Sequence, residues 1–72
     1  MIEIGVSKVY STGKYRVWWR EDGRYDEAKA YYTDDAEDAV VTLLDIQRRY
    51  PSAYISEGVY TRGLLNRYGG VG

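Results

Sequence analysis

Basic and aromatic residues alternate along one short stretch of this chain: Arg16, Trp18 and Arg20, with Tyr25, Lys29 and Tyr31 following. Guanidinium groups supply a rigid fork of donors for carboxylate or phosphate, and Trp and Tyr supply a broad apolar body with a polar tip. Side chains two apart in a strand share a face, so this alternation gathers the set on one side of a sheet. The chemistry it suggests is recognition. Catalysis is not expected. The chain has neither His nor Cys, so the commonest general base and the strongest nucleophile are both missing. No Ser stands in a nucleophile-elbow setting, and the glycines lack phosphate-loop spacing.

Asp34, Asp35, Glu37 and Asp38 form the one dense carboxylate cluster. Oxygen-rich clusters can hold Ca²⁺ or Mg²⁺, but this spacing matches no EF-hand loop. Carboxylates at a helix start also accept orphan amide hydrogens and complement the dipole, which is the structural role expected here. No metal site and no cofactor are expected.

The elements that must position these groups follow from period and turn chemistry. Ile4, Val6 and Tyr10 share one parity, which predicts a half-buried strand from Ile2 to Tyr10. Lys14 to Glu21 alternates again, with Tyr15, Val17 and Trp19 on one face and Arg16, Trp18 and Arg20 on the other. Asp22-Gly23 favours a two-residue hairpin turn, because both central residues of a type I′ turn need positive φ. That turn would pair Glu21 with Arg24, Arg20 with Tyr25, Trp18 with Glu27, Val17 with Ala28 and Tyr15 with Ala30. Thr12-Gly13, read the same way, pairs Tyr10 with Tyr15, Lys8 with Val17 and Val6 with Trp19. The expected core face is Ile4, Val6, Tyr10, Tyr15, Val17, Trp19, Ala28, Ala30 and Tyr32.

From Asp34 to Tyr50, apolar residues recur at helical spacing through Ala36, Ala39, Val40, Leu43 and Leu44. Asp34 with Glu37 suggests a capping box, Arg48 and Arg49 fill the last turn, and Pro51 closes the helix. Ala53 to Tyr60 has strand-like composition interrupted by Gly58, and Leu64-Leu65 suggests one helical turn before a flexible glycine-rich tail at 69–72. The expected fold is therefore α+β: one domain over residues 1–72, an antiparallel sheet of three to four strands with one helix on one face, in the order βββαβ.

Opposite the helix, the derived register displays Val9, Lys14, Arg16, Trp18, Arg20, Tyr25, Glu27, Lys29 and Tyr31. Two readings compete. The aromatics either pack along the sheet under stacked arginines with Glu27 balancing charge, or stand exposed as an interface hot spot.

From Gly13 to Val41, GKYRVWWREDGR followed by AYYTDDAEDAV resembles the three-strand-plus-helix arm-type DNA-binding domain of phage tyrosine recombinases. In that family the sheet enters the major groove, and Arg16, Arg20 and Lys29 occupy comparable sheet positions. The small, acidic, Tyr-rich format also resembles phage-encoded inhibitors of bacterial defence systems, including anti-CRISPR proteins, which imply occlusion of a surface on a larger machine.

Composition bounds the partners. The chain has 72 residues, 9 Tyr, 2 Trp, no Phe and a net charge of −1, so bulk attraction to nucleic acid or anionic membrane is absent. No run of 18 apolar residues spans a bilayer and no basic start precedes an apolar stretch, so a cytoplasmic, non-membrane protein is expected. A chain this short has a modest core, and without disulfides or metals self-association gains weight. The leading expectation is a non-catalytic binding or inhibitory module for a protein or nucleoprotein complex. Direct nucleic-acid binding, or a homo-oligomer sequestering a small anionic ligand such as a nucleotide, are the alternatives.

Overall fold

The computed structural model describes residues 1–69. Strands β1 (Ile2–Val9) and β2 (Lys14–Glu21) form a long antiparallel hairpin. Two short strands, β3 (Arg24–Tyr25) and β4 (Tyr31–Thr33), line the other edge of β2. Helix α1 (Ala36–Arg49) crosses one face, β5 (Tyr54–Ile55) adds to the free edge of β1, and α2 (Val59–Leu64) continues into a wider helical turn at Leu65–Gly69. The architecture is α+β, a mixed and open sheet with one main helix packed on it. β5 runs parallel to β1, with Glu3 beside Tyr54 and Ile4 beside Ile55, so the last strand borders the first and the sheet is not purely antiparallel. The expected Ala53–Tyr60 strand shrinks to two residues, residues 56–58 form an irregular connection, and α2 takes over at Val59.

Asp22 and Gly23 both adopt positive φ, +52° and +84°, and the turn sets Arg20 against Tyr25 and Glu21 against Arg24 as expected. The β1–β2 loop is longer than its Thr12-Gly13 signal suggested. Gly13, at φ +73°, donates its amide to the Val9 carbonyl at 2.8 Å, and the loop takes four residues. Pairing slips by two, so Val6 faces Val17 and Ile4 faces Trp19. A two-residue slip preserves the side each residue points to, and the face assignment of β1 and β2 survives.

The third strand departs more. After Asp26 donates its amide to the Trp19 carbonyl, its carboxylate accepts the Ala28 amide at 3.1 Å and starts a single 3₁₀ turn over Glu27–Lys29. The chain rejoins β2 three residues late, with Val17 facing Tyr31 and Arg16 facing Tyr32. An odd shift exchanges faces, so Tyr31 turns toward the helix and Tyr32 away from it. Ala28 lies in the turn and is exposed, where a core position was expected.

Ile4, Val6, Val17, Trp19, Ala39, Leu43 and Ala53 form the core between sheet and α1. Tyr10, expected there, sits in the loop and is exposed. Asp35, one residue later than expected, caps α1: its Oδ1 accepts the Glu37 amide at 2.9 Å and, at 3.5 Å, that of Asp38. The free edge of β1 is closed in two ways. Ser56 donates its amide to the Ile4 carbonyl, and the buried Thr61 hydroxyl accepts from the Val6 amide at 3.2 Å while donating to the Val6 carbonyl at 3.3 Å. One threonine thus does for Val6 what another strand residue would do. Gly69 packs beside Val40 and Leu44 as part of the described helical turn, and the remainder of the expected tail, 70–72, lies outside the described residues. Among the described residues no helix is long and apolar enough to cross a membrane.

Candidate functional site

The face of the sheet away from α1 is built on a glycine. Gly5 lies directly across from Trp18, and the indole ring lies over it so closely that a Cβ at Gly5 would sit 2.3 Å from Trp18 Cζ2. A lone glycine inside a strand marks such close approach. The consequence is enclosure. Trp18 is only 9% exposed although no helix covers it. The exposed tryptophan of the hot-spot reading is therefore replaced by a seated one, and the exposed aromatic surface around it is tyrosine.

Tyr25 meets the Trp18 ring edge-on, with centroids 5.5 Å apart and planes at 79°, and remains 55% exposed. The Arg20 guanidinium lies 5.7 Å from the Trp18 ring centre and 5.5 Å from that of Tyr25, and Arg16 stands 5.5 Å from the Tyr25 ring. Both arginines are also ion-paired. Arg20 donates to Glu3, its partner across the β1–β2 ladder, and this bond raises its pKa further above the ordinary arginine range. Arg16 donates to Glu27 Oε1 at 2.7 Å. Its Nε is buried and has no hydrogen-bond partner among the described residues.

Glu27 is the other anchor. It receives the Tyr32 hydroxyl as well as Arg16, and these two contacts, the phenol first, hold its carboxyl below the ordinary value. The same bond pushes the Tyr32 phenol up, because ionising it would place two anions side by side. Tyr32 (45% exposed) and Tyr54 (41% exposed) complete the face, Tyr54 standing beside Glu3 on β5. The surface is thus a tyrosine-rimmed platform with Trp18 as its floor and two stacked, ion-paired arginines as braces.

The structure brings together Arg16, Trp18, Arg20 and Tyr25 of the expected set. Lys29 and Tyr31 lie on the other side. Lys29 Nζ sits 4.6 Å over the Trp19 ring, and the Tyr31 hydroxyl donates to Asp38 of α1 at 2.6 Å, which raises its pKa. Both displacements follow from the 3₁₀ turn. Sequence reasoning missed Gly5, Tyr32 and Tyr54 as parts of the face. Gly5 carried a usable signal as a single glycine within strand alternation, whereas Tyr54 became part of the surface only through the parallel β1–β5 pairing.

The acidic group at the start of α1 has structural work. Asp35 caps the helix and Asp38 receives Tyr31. On the platform, Glu3 is held by Arg20 and Glu27 by Arg16, and Glu27 also accepts the Tyr32 hydroxyl. Comparison with known proteins adds no relative: no family model matches the chain, and no curated protein or solved structure matches it.

Proposed function

We propose that the chain is a non-catalytic binding module, inhibitory by occlusion, that engages a protein or nucleoprotein partner in the cytoplasm through the open sheet face. The observation that carries this reading is the platform itself: Tyr25, Tyr32 and Tyr54 stand half-exposed around a seated Trp18 on a face that, among the described residues, neither helix covers. Tyr offers large contact area at low entropic cost, and Trp, Tyr and Arg dominate interface hot spots. Braced by Glu3 and Glu27, the arginines keep their orientation before a partner arrives. The same pairing argues against nucleic acid as the primary ligand, since a phosphate backbone would have to displace both carboxylates.

The test is affinity capture from a bacterial lysate with the wild-type chain and with Tyr25→Ala/Tyr54→Ala. Loss of the captured species by roughly thirtyfold or more, as for a hot spot of about 2 kcal/mol, with an unchanged thermal melt, supports the proposal. Undiminished capture refutes it. A gel shift with a single-stranded oligonucleotide at low ionic strength separates the nucleic-acid alternative, which predicts a complex that dissolves as salt is added.

A further inference from the structure

All eleven carboxylate side chains lie at Glu3 or between Glu21 and Glu57, so residues 4–20 and 58–69 contain cations but no Asp or Glu. The fold packs these two segments together. Thr61 of α2 bonds the Val6 backbone, and the Tyr60 phenol is pushed up by burial, with the Tyr15 and Tyr10 hydroxyls nearby adding to the effect. The carboxylate that borders this end of the molecule is Glu57, ion-paired to Arg62 of α2 at 3.6 Å. Lys8, lying 4.3 Å over the Tyr15 ring, and Arg67 make no ion pair among the described residues.

The same end exposes apolar surface. Val59 is 90% exposed, and with Tyr60, Gly63, Leu64 and Arg67 it lines an open groove of about 320 Å³. Its lining is apolar except for the Arg67 guanidinium and the Tyr60 hydroxyl. Gly63 leaves its floor bare, since nothing lies within 4 Å of where its Cβ would stand.

We infer that this end is a second interaction surface, distinct from the platform, that takes an acidic segment of a partner protein carrying a large apolar side chain. Charge complementarity selects the partner. An apolar side chain fills the groove while carboxylates on either side meet Arg67 and Lys8. A phosphate backbone would satisfy the cations and leave the groove empty. The three cations of these segments without an ion pair among the described residues, Lys8, Lys14 and Arg67, are also too few to hold a membrane surface, where each contributes only about 1 kcal/mol.

The experiment is an NMR titration of the isotope-labelled full chain with an acetylated, amidated hexapeptide of sequence DELFDE, and with the neutral counterpart NQLFNQ. The expected result is saturable shifts at Val59–Arg67 and Lys8–Tyr15 with DELFDE. Affinity should fall at least about tenfold in Lys8→Glu/Arg67→Glu and should drop as salt is raised. Lys8→Gln/Arg67→Gln serves should the reversal unfold the chain. Tyr25→Ala/Tyr54→Ala should bind as wild type, which keeps this surface separable from the platform. The inference is overturned by no shifts at millimolar peptide, by shifts on the platform instead, or by equal binding of NQLFNQ. Binding of phosphatidylserine vesicles or oligo-dT at this end while DELFDE stays silent also overturns it.

Discussion

Replacing Gly5 by Ala adds a single methyl group, and the structure says where it goes: 2.3 Å from Trp18 Cζ2, 2.7 Å from Cε2 and 3.0 Å from Cη2. Real carbon contacts do not reach such distances, and the obstacle is a rigid ring, so the indole must move as a body. Sliding along the sheet costs what overpacking usually costs, about 1–3 kcal/mol. Ejection sets the ceiling. A tryptophan buries roughly 150–250 Å², which at about 25 cal/mol per Å² is about 4–6 kcal/mol. We expect Gly5→Ala to destabilise by about 2–4 kcal/mol, between sliding and ejection, which is much of the stability of a domain this small. For a chain of this size that lowers the melting temperature by roughly 10–25 °C. Urea titration followed by far-UV circular dichroism measures it. Gly5→Ala/Trp18→Leu should be less unstable than the two single changes added, because the methyl then occupies space the ring has vacated. A Gly5→Ala chain within about 0.5 kcal/mol of wild type, the range of an ordinary surface change, would refute the seated-indole account. The platform's rigidity would go with it.

Two further outcomes follow from side chains that stand in for backbone or brace it. Thr61→Val keeps the shape but leaves the Val6 amide and carbonyl unpaired, and should cost about 2–4 kcal/mol, with Thr61→Ser milder and Val6 amide exchange faster in the valine variant. Glu27 has its carboxyl pKa lowered by Tyr32 and Arg16, so its folded-state advantage is complete above the ordinary carboxylate range near 4.5 and is lost as pH falls through the depressed folded value. Stability measured from pH 6 down to pH 2 should therefore fall less steeply in Glu27→Gln than in wild type, and equal slopes would contradict the bracing role.

How much of this was legible depended on what each signal encodes. Asp22-Gly23 names a backbone conformation, positive φ at two successive residues, and so it set both the turn and the pairing of Arg20 with Tyr25 and Glu21 with Arg24. The α1 signals also acted locally, through an acidic cap read at Asp34 and found at Asp35, the apolar spacing and Pro51, and the helix ends fell within a residue or two of expectation. The 3₁₀ turn was not legible, because Asp26 within an alternating stretch resembles any polar strand residue. Its role as a cap appears only when its carboxylate is seen on the Ala28 amide. β5 is two residues long and has no period to read.

The two register differences had unequal consequences for the site. Slipping β1 by two kept Trp18 on the open face but changed its opposite number from Ser7 to Gly5, and that exchange turned an exposed ring into a buried one. Delaying β4 by three kept its pairing with β2 but replaced Tyr31 with Tyr32 on the platform, and so brought a phenol within reach of Glu27. Both changes move the surface in the same physical direction. A ring that was free to rotate becomes a floor, and Arg16 and Glu27, which could have been mobile rim charges, join Tyr32 in a fixed triad. Ordering side chains on association costs about 0.5–1.5 kcal/mol for each one immobilised, and here folding has already ordered Trp18, Arg16, Arg20 and Tyr32. What remains for a partner to organise is mainly Tyr25 and Tyr54, with two side-chain torsions each. The physical case for recognition thus rests less on how many aromatic and basic residues the face displays than on how few of them are still free to move.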